Sequence, residues 1–238
     1  TEFSPTIKEA LELADANPIV IDINDPEGPG GELIGETDYE SFIATGDPAF
    51  DWSFPDDEWN AIALNYTSGT TGNPKGVVGH HRGGYLNAIG NTYTWGATGG
   101  PIYLWTLPMF HCNGWCFTWG VTAVGGTNVC LRQINSAAIY ESIAKYEVTH
   151  LCGAPIVMQM IVNASDADRQ TFDHDVEFMT AAAPPPASVL AKMSEEGIRV
   201  THVYGLTEIY GPAMICAWQD EWDDLPLEER AKLQSRQG

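Results

Sequence analysis

From Asn60 onward the sequence alternates short apolar runs of strand length with segments of helical periodicity, and that alternation leaves few folds open. AIALNYTSG and KGVVGHH read as two strands joined by a glycine-rich loop, followed by a helix from about Arg82 to Tyr93. Strand PIYLWTLPM, helix GWCFTWGVTAV, strand TNVCLRQ, helix AAIYESIAKYE, strand THLCGAP and helix IVMQMIVNA continue the series. Strand VEFMTAAA, helix ASVLAKMSEEG and strand RVTHVYG close it. The expected fold is α/β, with mixed sheets covered by helices and with loops gathered at strand ends, where such sheets collect ligands. Before Asn60 a short helix near Thr6 to Ala14 and an IVIDI strand lead into an exposed Gly/Pro/Asp-rich connection. DYESFIAT reads as a helix, and GDPAFDWSFPDDEW as an acidic aromatic loop.

Composition narrows the function. In 238 residues, 32 Asp+Glu oppose 11 Lys+Arg, so the formal charge of −21 repels nucleic acids and anionic membranes. Such acidity fits a salty cytoplasm and ordinary solubility equally. The five cysteines, Cys112, Cys116, Cys130, Cys152 and Cys216, are odd in number and set mostly in apolar runs, which suits a reducing compartment. No apolar run approaches the ~20 residues of a membrane span, and the start lacks a basic segment followed by a long apolar one. The expected location is cytoplasmic. The chain begins with Thr1 rather than Met, which suggests a piece of something longer.

The loop YTSGTTGNPKG, Tyr66 to Gly76, is too polar and flexible for a core strand. Glycine-freed amides, hydroxyls and one lysine make an anion cradle, and phosphate is the first candidate. The spacing excludes the G-x-x-x-x-G-K-[ST] loop, because Asn73 and Pro74 separate Gly72 from Lys75 and Gly76 stands where a hydroxyl is needed. Two further loops follow strands. TAAAPPP, Thr180 to Pro186, exposes backbone beside a rigid surface, and YGLTEIYG places a ring, a glycine, a hydroxyl and a carboxylate within five residues. Those groups suit an aromatic base, a close backbone approach, a phosphate oxygen and a magnesium ion.

YTSGTTGNPKG resembles the signature loop of the adenylate-forming (AMP-binding) superfamily, which includes acyl-CoA synthetases, luciferases and peptide-synthetase adenylation domains. YGLTE resembles its second signature, in order and with TAAAPPP between. PMFHCNGWCFTW and the stretch from Tyr210 to Gly238 resemble the short- and medium-chain fatty acyl-CoA synthetases, a branch that includes methylmercaptopropionate-CoA ligases. The likeness runs from about Asp56 to the end, so residues 1–55 are expected as part of a leading subdomain with an acidic connection, and 56–238 as a partial AMP-binding domain.

The resemblance implies ATP-dependent activation of a carboxylic acid, then thioester formation with coenzyme A. It assigns Thr67, Ser68, Gly69, Thr70, Thr71, Gly72 and Lys75 to the phosphates, and Tyr204, Gly205 and Leu206, with Ala182, Ala183 and Pro184, to the nucleotide. Thr207 would contact the α-phosphate and Glu208 would ligate Mg2+. The family usually carries glycine where this chain has Ala182. His111 is implied to orient the acid, with Trp115 and Gly205 beside it in the pocket. A homodimer fits this reading; nucleic acid and membrane partners do not.

HCNGWC also offers three soft ligands in six residues, but no fourth is near, and Cys112 and Cys116 are spaced as neighbours on one helix face. Packing is the expectation there, as it is for Trp95, Trp105 and Trp119, while His80 and His81 are expected at the surface. The family's ribose-binding aspartate, hinge and small C-terminal domain do not occur before Gly238, so these 238 residues alone are expected to turn over little or no acid. A nucleotide-binding module without catalysis is the competing reading.

Overall fold

The computed structural model describes residues 1–14, 17–67 and 72–238, and divides the chain into two units, Thr1–Phe54 and Pro55–Gly238. The first unit holds α1 (Ser4–Leu13), β1 (Ile21–Asp22), β2 (Thr37–Asp38) and α2 (Tyr39–Ile43). The two short strands pair in parallel. The carboxylate of Asp22 accepts from the backbone of Gly35 (2.8 Å) and Ile34 (3.3 Å), which ties the far end of the Gly/Pro-rich connection back to β1. Asp38 caps α2 by accepting from the Ser41 amide at 2.9 Å, satisfying a donor the first helical turn leaves free.

The second unit opens with an antiparallel hairpin, β3 (Ala61–Thr67) and β4 (Lys75–His80), and α3 (His81–Thr94). A six-stranded sheet follows. It contains β5 (Ile102–Trp105), β6 (Thr127–Cys130), β7 (His150–Gly153), β8 (Val176–Thr180), β9 (Ile198–Leu206) and β10 (Gly211–Ile215). Their order is β10-β9-β8-β7-β5-β6, parallel throughout except for β10, which runs antiparallel to β9. The connecting helices are α4 (Cys112–Trp115), α5 (Phe117–Ala123), α6 (Ser136–Tyr146), α7 (Pro155–Val162) and α8 (Ala187–Glu195), and α9 (Leu227–Gln234) ends the chain.

Parallel strands buried on both faces read as continuous apolar runs, which is why PIYLW, HLCG and VEFMT show little alternation. On one face Leu104, Leu151, Phe178 and Val200 pack against Ile139, Ile143, Met158, Leu190 and Met193 of α6, α7 and α8. On the other, Tyr103, Trp105, Cys152, Met179 and Val203 pack with Trp95, Phe117 and Val121. A partly buried network joins the helices of the first face, where Arg169 pairs with Glu196 and both bond the Tyr140 hydroxyl.

Three sequence expectations change. GWCFTWGVTAV is not one helix: residues from Cys112 to Cys116 all have positive φ, between 47° and 65°, and the right-handed helix begins only at Phe117. Cys112 and Cys116 are therefore not neighbours on a right-handed helix face, although Cys116 is buried as packing requires. The antiparallel strand β10 and helix α9 are additions, since their residues follow a signature loop and carry weak periodicity.

His150 lies partly buried against Trp95, with ring centroids 4.7 Å apart, and loss of water pushes its pKa from 6.5 down to about 4. Burial also lowers His202, whose Nδ1 lies 2.9 Å from the Ser235 carbonyl. Between about pH 6.5 and 4 the unfolded chain binds more protons at His150 than the folded one, so stability falls as pH drops through that window. Thermal melts should show Tm declining across it, and His150→Gln should flatten part of the slope. A slope unchanged by the substitution would assign the acid sensitivity elsewhere.

Candidate active site

Apart from the residues on the β3–β4 hairpin, the predicted residues lie at or just beyond the carboxyl ends of parallel strands. β8 and β9 are paired neighbours with Thr180 opposite His202, so the loop after Thr180 and the YGLTE segment emerge side by side. Ala182, Ala183 and Pro184 are exposed there, as is the Tyr204 ring, at 39%. The Thr180 hydroxyl beneath them is buried and has no hydrogen-bond partner among the described residues.

Ala182 stands at φ +80°, in the region that glycine enters freely and a Cβ makes costly. The glycine that the resemblance led one to expect is thus the residue the backbone calls for. Gly205 is demanded for a different reason than a ligand's approach. A Cβ there would lie 1.9 Å from the Gly211 carbonyl oxygen, because β10 folds directly back over β9. Leu206 is the last residue of β9 and is half exposed. Thr207 and Glu208 then form a 3₁₀ turn, Thr207–Ile209, with Thr207 partly buried and Glu208 exposed.

Opposite this turn stands the β3–β4 hairpin. Thr67 pairs with Lys75 across it, so the lysine is held at the mouth of the loop, and Gly72 is exposed beyond. The calls on Ser68, Gly69, Thr70 and Thr71 lie outside the described residues. One cleft is lined jointly by the hairpin (Ala63, Asn65, Val77), by Cys112 and Asn113, and by Thr207 and Glu208. The strands that carry the first signature loop and the turn that carries the second, remote in sequence, therefore line a single opening.

The wall between them is the left-handed turn after β5. Left-handed backbone costs roughly 1–2 kcal/mol per non-glycine residue, so tertiary contacts must hold it. They are visible: Asn65 Nδ2 donates to Asn113 Oδ1 at 2.8 Å, and Thr118 donates to the Asn113 carbonyl at 2.9 Å. The Cys116 thiol reaches the Tyr210 carbonyl at 3.4 Å, and the Cys112 thiol donates to Thr207 Oγ1 at 3.4 Å. Burial raises the Cys112 pKa above its ordinary value, opposed by the Thr207 bond and reinforced by Glu208, which keeps the thiol neutral. His111, one residue earlier, is exposed and tilted against Phe110 at 4.6 Å. Trp115 is partly buried against the second core cluster and against Gly211. Neither lines the hairpin cleft, and neither do Thr67 and Lys75, so of the predicted site residues the cleft holds Thr207 and Glu208.

Sequence reasoning assigned Cys112 to packing and passed over Asn65 and Tyr210. For Tyr210 a pointer was present in YGLTEIYG, where a second aromatic follows the carboxylate by two positions. Among the described residues no group of three His, Cys, Asp or Glu is placed to hold a metal. Among them, too, no helix is long and apolar enough to cross a membrane.

Comparison with known proteins adds identity to this geometry. The AMP-binding enzyme family model matches residues 6–238. A protein of Arabidopsis thaliana named acetate/butyrate–CoA ligase AAE7, peroxisomal, is 54% identical over 250 residues, covering 100% of this chain and 44% of that protein. Acetate–CoA ligase CCL3 of Humulus lupulus is 56% identical over 205 residues, covering 86% of this chain and 36% of that one. The inhibitor-bound N-terminal domain of FACL13 from Mycobacterium tuberculosis superposes with a TM-score of 0.60 at 26% identity, over 72% of this chain and 42% of that one. The chain thus spans less than half the length of these curated relatives.

The strained alanine offers a direct check. Ala182→Gly should raise the urea midpoint by about 1 kcal/mol of stability with an unchanged m-value, because relief of the left-handed strain exceeds the added chain entropy. Ala182→Val should do the reverse. A destabilised glycine variant would show that Ala182 makes contacts worth more than its strain.

Proposed function

Because the chain belongs to the AMP-binding enzyme family, we propose that it is the nucleotide-binding part of an acyl-CoA ligase that activates a short carboxylic acid with ATP. The observation that carries this reading is the shared cleft, across which the β3–β4 hairpin, whose loop end is closed by the Thr67–Lys75 pair, faces the Thr207–Glu208 turn. Residues 56–238 then form part of the AMP-binding domain, preceded by part of a leading subdomain.

In the first step a carboxylate oxygen bonds the α-phosphorus and the bond to the β-phosphate oxygen breaks, giving an acyl-adenylate and pyrophosphate. In the second, coenzyme A sulfur bonds the acyl carbon and AMP leaves. Both partners of the first step are anions, so the protein's task is to align them and to offset charge. Thr67, the loop to Gly72, and Lys75 hold the departing phosphates. Tyr204 presents its ring to adenine, and Ala182, Ala183 and Pro184 supply the facing surface. Thr207 donates its hydroxyl to the α-phosphate. Glu208 provides one exposed carboxylate, which fits Mg2+, an ion that takes one or two carboxylates and fills its shell with water and phosphate oxygens. His111 orients the acid, with Trp115 and Gly205 forming the wall behind it.

Acetate and butyrate, named for the relatives, favour a short chain here. A methylthio-substituted propionate is of similar length and belongs to the same test. An apolar pocket separates acids differing by one methylene by only about 1–3 kcal/mol, so a graded preference is expected.

Pyrophosphate release should be measured with acetate, propionate, butyrate and 3-(methylthio)propionate in the longest natural polypeptide that carries this sequence. Acid-dependent release is expected, and Thr207→Ala should lower it about 100-fold by removing one donor to the reacting phosphate. Binding of ATP without release from any carboxylic acid would overturn the ligase reading and leave a nucleotide-binding module.

A further inference from the structure

We propose that Tyr210 is a positioning residue that sets the spacing between the two phosphate-facing segments, acting as a strut from the Thr207–Glu208 turn to the β3–β4 hairpin. This rests on the nucleotide-binding reading above and assigns a role to a residue outside the nucleotide contacts.

Four observations converge on it. Tyr210 closes the 3₁₀ turn directly after Ile209 with φ +68°, a conformation that costs a non-glycine residue and so requires compensation nearby. Its hydroxyl accepts the backbone N–H of His80, the last residue of β4, at 3.0 Å across 130 positions of sequence. Its ring meets the His80 ring edge-on at 5.5 Å, and the His80 Nδ1 in turn accepts from the Gly83 amide at 2.9 Å, capping α3. The ring also occupies the space where Gly83 has no side chain: a Cβ on Gly83 would lie 2.2 Å from Tyr210 Cζ.

The geometry has one mechanical consequence. β4 leaves the phosphate loop at Lys75 and reaches Tyr210 five residues on, at His80, while Thr207 and Glu208 precede Tyr210 by three and two residues. The strut therefore fixes how far Lys75 and Thr67 stand from Thr207. A nucleotide that touches both segments depends on that spacing. One that touches only the Tyr204–Thr207 side does not. ATP belongs to the first kind and AMP to the second.

The test compares Tyr210→Phe, which keeps the ring and removes the acceptor of the His80 bond, with wild type by titrating Mg-ATP and AMP against each. The expected result is a Kd for ATP raised about fivefold, the scale of one lost hydrogen bond, with the AMP value changed less than twofold. Hydrogen exchange should quicken at the His80 amide and along β4, and stay unchanged in β5, β7 and β8. Gly83→Ala gives a second route: it should lower Tm in the wild-type background and be nearly neutral beside Tyr210→Ala, a coupling that only direct contact produces. Equal loss of ATP and AMP affinity, or unaltered exchange at His80, would overturn the strut while leaving the nucleotide site intact. Failure of wild type to bind either nucleotide would instead overturn the parent reading and the strut with it.

Discussion

The arrangement depends on burial of the parallel sheet on both faces. With apolar layers pressed against β5, β7, β8 and β9 from either side, an unpartnered polar group along those strands is costly, so recognition is displaced to the strand ends. Every loop of interest then emerges at one edge. Thr207 and Glu208 leave β9, Ala182 leaves β8, and the left-handed turn follows β5. What remains is to hold irregular backbone in fixed conformations, and side chains from remote segments do this. Asn65 bonds Asn113, Cys112 bonds Thr207 and Tyr210 bonds His80.

Charge sets the second constraint. A chain of formal charge −21 would bind the polyphosphate of the proposed function against its own long-range field. Screening limits that field to about 8 Å at physiological ionic strength, so close donors decide the outcome. Lys75 and the hydroxyls of Thr67 and Thr207 would be such donors under the proposed function. Their effect depends on separation, which gives the rigid ties between hairpin and turn more importance than their individual hydrogen-bond energies suggest.

Legibility differed by element. Strands β7 and β8 and helices α6 and α8 were readable because burial on both sheet faces, or on one helix face, writes itself into the run or the period. The turn from Cys112 to Cys116 was not, since four of its five residues are types that favour right-handed backbone, and contacts with Asn65, Thr118, Thr207 and Tyr210 hold it otherwise. The nucleotide-side residues were legible as motifs. At Gly205 the structure adds a packing reason for glycine, β10 folding back upon it, which no local pattern announces.

By itself the sequence determined the α/β class, the phosphate-type loop with its lysine, and the hydroxyl–carboxylate pair at Thr207 and Glu208, because each is written in contiguous residues. Tertiary structure alone decided that the β3–β4 hairpin and the Thr207–Glu208 turn line one cleft, that His111 and Trp115 stand apart from its lining, and that Tyr210 joins turn to hairpin. The physical reason is range. Propensity, periodicity and loop chemistry act over a few positions, whereas the bond from His80 to Tyr210 spans 130, and it exists only once the sheet has brought both ends together.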